Sequence, residues 1–516
     1  MSEFSAPSGS ADASFTSSAV RQGRSTVSSH GWRLRAAIGL LLPLGCGDTA
    51  PHARPATTRD AGATPVMQCP TAVETAGPTA SSQCDVSART IEPMFTCGRA
   101  DCAVTEVLDV TCETQPVEPS LAVTPDGALV LFESSASPLT TTSVGRLMSV
   151  RDGEYRVEDV ASNLAVATTA SGSPWLFGSE PGRISASRVS DAGWNSSTVA
   201  TLPPDGTLTF WGASMSDDAD GYVVFSDVTL IDHLLRWDGS CWSDQLIDAQ
   251  ATAMTLATDA TQAPWLAWLG HLPTAEPIAL DAGLYLRSPE GDVQELFAST
   301  ADASPGMLGD LWPEVRLLPG GADGTESSPI VAAKFNAGLR LFRRTTTTDS
   351  DWVSFLLPES AAGQKSDGDC PAAAFTPNDS TDPCSGVTSC TEQVTGSSRG
   401  FDLARTRSGA AFAAWVNYSV TPTYQLSMQC RGGELPGCSC EKVPASGPGT
   451  AELVVARLTD AEPVLSHFRF DLGGPTFDPF SDVVLEARGD TLVLVASLGR
   501  KTPSLTYVEL DSRLLP

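Results

Sequence analysis

From about residue 115 onward, apolar and polar positions repeat as short strands paired across turns. One half of each repeat is an apolar strand, a turn and a second apolar strand, as in Leu121–Phe132, where Pro125-Asp126-Gly127 separates two apolar runs. Apolar runs joined by Asp-Gly or other glycine-containing turns are typical of β-hairpins. Further copies run over Leu164–Phe177, Gly212–Phe225, Leu256–Trp268, Val315–Phe335, Leu403–Trp415 and Val484–Val495.

The other half of each repeat alternates apolar and polar residues up to an arginine, and a turn then leads into another strand. No segment shows a helical period over more than a few turns, so the chain is predicted to be nearly all β. Two hairpins make a four-stranded antiparallel unit of roughly 40–50 residues, the size of a β-propeller blade. The copies include Leu147–Arg151, Ile184–Arg188, Leu234–Arg236, Leu284–Arg287, Leu339–Arg343 and Val454–Arg457.

We therefore predict an all-β fold, a single β-propeller of about seven four-stranded blades over residues 113–516. The last blade lacks a clear fourth strand after Thr506–Leu510, and Val104–Val110 can supply it. That pairing would close the ring and remove an exposed sheet edge. Six or eight blades, and an array of β-sandwiches, are the alternatives. The blades begin near Ser120, Ser162, Thr207, Ala251, Trp312, Gly400 and Asp482.

In period and pattern, these repeats resemble those of secreted bacterial β-propeller lipoproteins with sialidase-like or similar repeats. The resemblance spans about 400 residues and implies a rigid ring carried outside the cytoplasm. The Ser-x-Asp-x-Gly-x-Thr-Trp box of sialidase repeats is absent. A sialidase activity is therefore not implied.

Long insertions are predicted on one face of the ring. The turns between strands one and two and between strands three and four share one face, here called the turn face. The loops between strands two and three and the links between blades share the other, here called the insertion face. Because function tends to lie on loops held by a rigid scaffold, we expect the ligand on the insertion face; tolerated surface insertions are the alternative. The insertions are Gly270–Ala282, Ala298–Leu311, Pro358–Arg399 and Tyr418–Thr450, with the largest two placed at 358–399 and 418–450.

The N-terminal region predicts export. Residues 1–45 form an extension plus a signal peptide, in which Arg33 and Arg35 precede the short apolar run Ala36–Leu44. Leu44-Gly45-Cys46 resembles the lipobox of bacterial lipoproteins, which implies a lipid anchor on the thiol of Cys46 and an outer-membrane or cell-surface location. An ordinary signal peptide is the alternative. Residues 46–68 are rich in Ala, Thr, Pro and Asp and are expected to be a flexible tether.

The cysteine count supports an oxidising compartment. Once Cys46 is set aside, twelve of the 13 cysteines remain, enough for six disulfides. Five of them lie in 69–112, a segment predicted to form a Cys-rich collar together with the closing strand. Six lie in the two largest insertions and are expected to cross-link there as a cap. The twelve are Cys69, Cys84, Cys97, Cys102, Cys112, Cys241, Cys370, Cys384, Cys390, Cys430, Cys438 and Cys440.

Composition narrows the possible partners. The 516 residues carry 32 Lys+Arg against 61 Asp+Glu, a net charge of -29. Such a surface repels nucleic acids and anionic lipid head groups, so we expect no nucleic-acid partner and membrane contact through the anchor alone. The chain is expected to be a monomer that binds a protein or a glycan.

Catalytic and metal-binding motifs are few. The chain has five histidines and no Gly-x-Ser-x-Gly or His-Glu-x-x-His motif, so no catalytic residues are assigned. Carboxylates at the propeller mouth could still hydrolyse or cleave a polysaccharide, which is the alternative function; a structural envelope protein is the other. No cofactor is expected apart from possible calcium in the insertion, at Asp367, Asp369, Asp379 and Asp382.

Binding residues are predicted among aromatic and histidine side chains at the insertion face. Aromatic side chains there can stack on a sugar or anchor a protein. Trp175, Trp265, Trp268 and Trp415 fall in strands and are expected to pack the core. The candidate binding residues are His271, Trp312, Tyr418 and Tyr424.

Overall fold

A computed structural model describes most of the predicted propeller and parts of the N-terminal segment that precedes it. The described residues are 67–69, 73–74, 79–80, 84–88, 103–112, 116–134, 144–151, 153–169, 171–180, 182–190, 193–201, 208–217, 219–227, 231–247, 249–259, 261–271, 283–298, 314–320, 329–335, 338–344, 352–360, 365–368, 389–421, 423–430, 438–446, 449–459, 463–471, 482–498 and 504–516.

Seven antiparallel sheets form the blades of a β-propeller, as the hairpin pattern predicts. Blade 1 is β6 Pro116–Thr124, β7 Gly127–Ser134, β8 Val144–Arg151 and β9 Glu154–Val160. Blade 2 is β10 Ala165–Thr168, β11 Pro174–Glu180, β12 Arg183–Ser190 and β13 Gly193–Thr201. Blade 3 is β14 Thr209–Asp217, β15 Asp220–Ser226, β16 Asp232–Trp237 and β17 Trp242–Ile247. Blade 4 is β18 Gln250–Thr258, β19 Pro264–His271, β20 Gly283–Arg287 and β21 Val293–Ala298.

The remaining blades complete the ring. Blade 5 is β22 Glu314–Leu318, β23 Ile330–Phe335, β24 Gly338–Arg344 and β25 Trp352–Leu356. Blade 6 is β27 Ser389–Arg405, β28 Ala411–Val420, β31 Gly449–Leu458 and β32 Val464–Asp471. Blade 7 is β33 Val483–Arg488, β34 Thr491–Leu498, β35 Ser504–Asp511 and, from the N-terminal side, β5 Val104–Cys112. The first strand of each blade contacts the first strand of the next, from β6 round to β33 and back to β6, so the ring is closed around a central channel.

The closing strand is the one expected from the sequence. β5 pairs antiparallel with β35, and Leu108 lies opposite Tyr507 in that register. The two ends of the chain therefore share blade 7, which joins residues about 400 positions apart in one sheet. This pairing covers an edge of β35 that would otherwise be open.

The core lies between blades rather than inside any one of them. Alternating side chains of each sheet pack against the sheets on either side, so most apolar clusters draw on neighbouring blades. Trp175, Trp268 and Trp415 are fully buried, which confirms their predicted packing role, whereas Trp265 is only partly buried. Each fully buried large side chain contributes roughly 1.5–3 kcal/mol of hydrophobic stabilisation.

The N-terminal segment runs around the outside of the ring as a belt of four short strands. The belt strands are β1 Met67–Gln68, β2 Val73–Glu74, β3 Thr79–Ala80 and β4 Cys84–Ala88. They add a fifth strand to blades 3, 2, 1 and 7 in that order, through β17, β13, β9 and β5. Six residues separate the starts of β1, β2 and β3, which at about 3.3 Å per residue is roughly 20 Å per blade. The belt therefore runs against the order of the blades in the chain.

Two disulfides fasten the ends of this belt. Cys69 follows β1 and bonds to Cys241, which stands immediately before β17 of blade 3. Cys84 begins β4 and bonds to Cys112 at the end of β5 in blade 7. The described part of the predicted collar is thus an extended belt with a covalent staple at each end.

The described residues contain no helix with the length and apolar character needed to cross a membrane.

Candidate functional site

The central channel carries a cluster of charged side chains on the first strands of blades 5, 6 and 7. Arg316 of β22 lies between two carboxylates, with Nε 3.5 Å from Asp402 Oδ1 and Nη2 3.7 Å from Glu314 Oε2. Asp402 also accepts hydrogen bonds from the backbone N–H groups of Leu403 and Leu485, both at 2.9 Å. The guanidinium and these amides hold the Asp402 carboxylate between blades 5 and 7.

A second cation lies behind this cluster. Lys334 of β23 is directly opposite Glu314 in the strand register and is buried. Its Nζ donates to Ser397 Oγ at 2.9 Å, and Ser397 Oγ donates to the Ser360 carbonyl at 3.1 Å. The positive charge lowers the pKa of Glu314, although other contributions prevail. The cluster therefore joins blades 5, 6 and 7 electrostatically as well as through their apolar packing.

Desolvation dominates the protonation of the channel carboxylates. Burial raises the pKa of both Glu314 and Asp402, while the charge of Arg316 opposes the shift in each case. Desolvation, and then the charge of Asp402, raise the pKa of Glu486 to about 8. The Glu486 side chain reaches channel water, but the surrounding walls leave an ionised carboxylate poorly hydrated. At neutral pH the Glu486 carboxyl therefore keeps its proton.

This shift makes the stability of the folded chain depend on pH, and Glu486→Gln should weaken that dependence. Between pH 4.5 and about 8 the folded chain holds the Glu486 proton and the unfolded chain releases it, so the free energy of unfolding falls as pH rises through that window. The variant should match the wild type near pH 4.5 and exceed its melting temperature above about pH 8. Thermal melts across this range measure the difference. Glu290→Gln, at an exposed turn of blade 4, is the control, and coincident pH profiles for Glu486→Gln and wild type would contradict the shift.

Blade 6 extends beyond the ring as a β-sheet, here called the arm. β27 has 17 residues, whereas the first strands of the other blades have four to nine. β29 Thr423–Cys430 continues the line of β28 along β27, since Val394 pairs with Val420 and Thr391 with Thr423 in one register. β30 Cys438–Ser446 continues β31 in the same way, and β26 Lys365–Gly368 pairs with the opposite edge of β27.

The arm rises from the insertion face and is braced near its base. At about 3.4 Å per residue, the eight residues of β29 reach roughly 27 Å past the blade. A bulge in β27 between Ser397 and Phe401 lies near the base of the arm. Cys390 is buried and disulfide-bonded, and it lies opposite Tyr424. Strand pairing along both edges of β27 and within the β29–β30 hairpin makes the arm a β-sheet projection rather than a loose loop.

Two of the predicted insertions are therefore strands where loops were expected. The expected loop Tyr418–Thr450 is mostly β29 and β30, and the expected link Pro358–Arg399 contains β26 and the first half of β27. Their polar, cysteine-containing sequence lacks the apolar alternation by which strands were recognised, because the arm has little core to pack against. Gly270–Ala282 and Ala298–Leu311 extend outside the described residues.

The predicted binding residues fall in several environments. Tyr418, expected at a loop, lies in β28 and is buried among the core residues of blades 6 and 7. Tyr424 lies on β29 and is partly exposed, and burial together with the nearby Glu392 raises the pKa of its phenol. His271 ends β19, where its side chain lies outside the described set, and Trp312 lies outside the described residues altogether. Of the four, the structure places only Tyr424 on the arm with part of its surface open.

The predicted anchor and calcium residues are mostly outside the described part of the chain. Cys46, Asp369, Asp379 and Asp382 lie outside it, and Asp367 lies in β26, with its side chain outside the described set. Among the described residues no group of three or more His, Cys, Asp or Glu side chains is placed to hold a metal ion. The calcium site stays a prediction.

Only part of the predicted cysteine cap lies within the described residues. Cys430 and Cys438 are register partners at the tip of the β29–β30 hairpin, and Cys440 lies opposite Met428. The side chains of these three residues, the pairing of Cys390, and Cys97, Cys102, Cys370 and Cys384 fall outside what the structure describes. The cap therefore stays a prediction.

The channel cluster escaped prediction from the sequence. Glu314, Arg316, Asp402 and Glu486 are isolated charged residues on three strands that are far apart in the chain. The local signs are Glu314-Val315-Arg316 and Glu486-Ala487-Arg488, where charged residues alternate with an apolar one on the first strand of a blade. First strands of the other blades carry few such residues, and that contrast could have been found once the blade order was known.

Comparison with known proteins finds similar solved structures but no matching sequence family. No family model matches the chain, and no curated protein matches it. The chain is similar to TolB from Acinetobacter baumannii, with 14% identity and a TM-score of 0.26 over 51% of this chain and 64% of TolB. It is similar to the β-propeller domain of the Trilobed protease from Pyrococcus furiosus, with 5% identity and a TM-score of 0.36 over 77% of this chain and 95% of that domain. A third likeness is to Penicillium chrysogenum α-L-arabinanase complexed with arabinobiose, with 10% identity and a TM-score of 0.33 over 63% of this chain and 94% of the enzyme. The propeller assignment rests on the strand pairing of this chain itself.

Proposed function

We propose that the chain is an exported, lipid-anchored propeller that binds a protein or glycan on its insertion face, with the arm as the main contact element. The observation that carries this proposal is the arm: within the described residues, blade 6 alone sends its first three strands out of the ring. A rigid projection loses little conformational freedom on binding, which favours affinity.

The side chains of the arm suit a polar ligand. Thr391, Gln393 and Gln425 are exposed on it, and Tyr424 offers an aromatic surface with a polar tip. The net charge of -29 favours a neutral or cationic partner. Two disulfides in the described chain favour an oxidising compartment outside the cytoplasm, in agreement with the expected export through the segment around Cys46.

Tyr424→Ala is expected to weaken binding at the insertion face by about tenfold or more, since truncated aromatic anchors commonly cost over 1.4 kcal/mol. Tyr424→Phe should lose less, because the ring remains. The probes are a glycan array and a phage-displayed peptide library, and Kd values are then measured by calorimetry on the selected glycan or peptide.

Tyr155→Ala, on the outer strand of blade 1, is the matched control and should bind as the wild type does. A wild-type chain that selects neither a glycan nor a peptide contradicts the proposal. So does a selected ligand whose Kd is the same for Tyr424→Ala and wild type.

A second candidate function, a polysaccharide hydrolase or lyase, is favoured by the channel carboxylates. Glu486 stays protonated at neutral pH and could donate a proton, while Asp402, held by Arg316 and two amides, could accept one. Release of reducing ends from polysaccharide pools, lost in both Glu486→Gln and Asp402→Asn, would favour this function over simple binding. Absence of turnover in the wild type would remove it.

A further inference from the structure

A shallow, open cavity of about 390 Å³ lies at the channel mouth on the turn face, opposite the arm. It is formed where the first strands of blades 7, 1, 2, 3 and 4 run into their turns. Its volume lies in the range of small-ligand sites, roughly 300–1,000 Å³. The polar groups that line it are Thr124, Thr168, Thr169, Ser216, Gln262 and Arg488.

The described groups that line this cavity include both hydrogen-bond donors and acceptors, and they carry no uncompensated charge. Thr124 and Thr168 already donate their hydroxyl protons, to Asp126 Oδ1 at 2.9 Å and to the Val123 carbonyl at 2.8 Å. Their oxygens keep lone pairs for a ligand, because a hydroxyl can accept as well as donate. The Gln262 amide supplies both donors and an acceptor. A ligand that both donates and accepts through several hydroxyls would match this lining.

Among the described lining residues, none offers an unpaired charge to a charged ligand. Arg488 Nη2 donates to both carboxylate oxygens of Glu509, at 2.9 and 3.1 Å, so its charge is already compensated. No carboxylate is among the described lining residues, which disfavours a cation. The net charge of -29 disfavours an anion.

The strongest sign of a site is Gln262 itself. The turns between strands one and two of blades 2, 4 and 6 share one backbone pattern, in which the fourth residue donates to the carbonyl of the first. That fourth residue is Gly172 in blade 2 and Gly409 in blade 6, with φ of 83° and 88°, but Gln262 in blade 4, with φ of 68°. Left-handed backbone favours glycine, so a glutamine there carries a conformational cost. Blade 6 uses glycine even though a Cβ at Gly409 would meet nothing within 4 Å.

Ser216 supplies an independent observation. Its side chain is 4% exposed, and its Oγ has no hydrogen-bond partner among the described residues. Buried hydroxyls are nearly always satisfied, and leaving one without a partner is unfavourable. A strained glutamine therefore lines the cavity, and an unsatisfied serine whose Oγ has almost no accessible surface lies in the wall behind it, as expected where structure is kept for binding rather than for stability.

We propose that this cavity binds a small neutral polyhydroxylated ligand, a saccharide of one or two sugar units, through the Gln262 amide and the threonine hydroxyls that line it. The site lies on the opposite face from the arm, so the proposal does not depend on the function assigned to the insertion face.

The test uses the full exported chain and a panel of neutral mono- and disaccharides, with a uronic acid and a cationic amino sugar as charged comparators. Gln262→Gly and Gln262→Ala both remove the side-chain amide, but only Gln262→Gly removes the conformational cost of the positive φ at this position. At least one neutral saccharide should saturate the wild type with a Kd of about 1 mM or tighter. Both variants should weaken that binding by about 3–10-fold, the loss expected for one or two hydrogen bonds.

Stability should separate the two variants. Gln262→Gly is expected to raise the melting temperature by about 1–2 °C, whereas Gln262→Ala should leave it unchanged or lower it. Tyr424→Ala should leave this binding intact, which distinguishes the cavity from the arm. The proposal is overturned if no neutral saccharide saturates the wild type, if the charged comparators bind more tightly, or if both Gln262 variants bind as the wild type does.

Discussion

Replacing Leu108 with alanine is expected to lower the free energy of unfolding by about 2–5 kcal/mol. Leu108 is fully buried in the closing strand, in an apolar cluster that joins blades 7 and 1. It lies opposite Tyr507 on one side and Ala88 on the other. The truncation therefore leaves a cavity at the seam that holds both ends of the chain together. Equilibrium denaturation by urea measures the loss.

Leu246→Ala is the matched control. Leu246 is 48% exposed on the outer strand of blade 3, so the same deletion of methyl groups there should change stability by less than about 0.5 kcal/mol. Limited proteolysis of the Leu108→Ala chain should cut first within blade 7. Equal losses for the two variants would contradict a seam held by Leu108.

Removing the Cys69–Cys241 disulfide by Cys69→Ser with Cys241→Ser is expected to cost about 2–5 kcal/mol. The bond spans 172 residues, and a cross-link that closes a long loop restricts the unfolded chain strongly. Denaturation of the oxidised protein by guanidinium measures the change.

The second belt disulfide provides the comparison. Cys84–Cys112 spans 28 residues, so its removal by the same serine pair should cost roughly 1.5 kcal/mol less than removal of the longer one. If removal of Cys84–Cys112 costs more than removal of Cys69–Cys241, the disulfides stabilise the fold mainly by holding native contacts of the belt rather than by restricting the unfolded chain.

The sequence predicts the ring well because each blade repeats the same physical requirement. An apolar pair of inner strands is needed every time, most of the turns between them contain glycine, and Val104–Val110 has the apolar character to complete the last blade. The belt could not be predicted in this way. Two-residue strands such as β2, Val73–Glu74, are too short to show any alternation, and their partners are chosen by the geometry of the perimeter.

The candidate sites also divide into features that the repeat pattern predicts and features that depend on tertiary contacts. Topology alone puts the insertions on one face, which the antiparallel order of the blades supports, but the arm was mistaken for loops because its polar strands bury little. Gln262 is one polar residue of a turn in the sequence, and its unusual backbone is evident only when the turns of blades 2 and 6, which have glycine at its position, are compared with it. Arg316 and Asp402 become neighbours only through the stacking of blades 5 and 6. Contacts of this kind are set by tertiary structure and leave no local pattern.

The belt also determines how the molecule would respond to a pull. The belt begins at Met67, whose strand pairs with the rim of blade 3, and Cys69–Cys241 connects that point covalently to the blade. Tension from a membrane tether would thus enter blade 3 directly and bypass β2, β3, β4 and the closing strand. Those short pairings, which could be peeled apart one by one, are shielded from the load. A propeller pulled from its N-terminal side would therefore keep its seam closed.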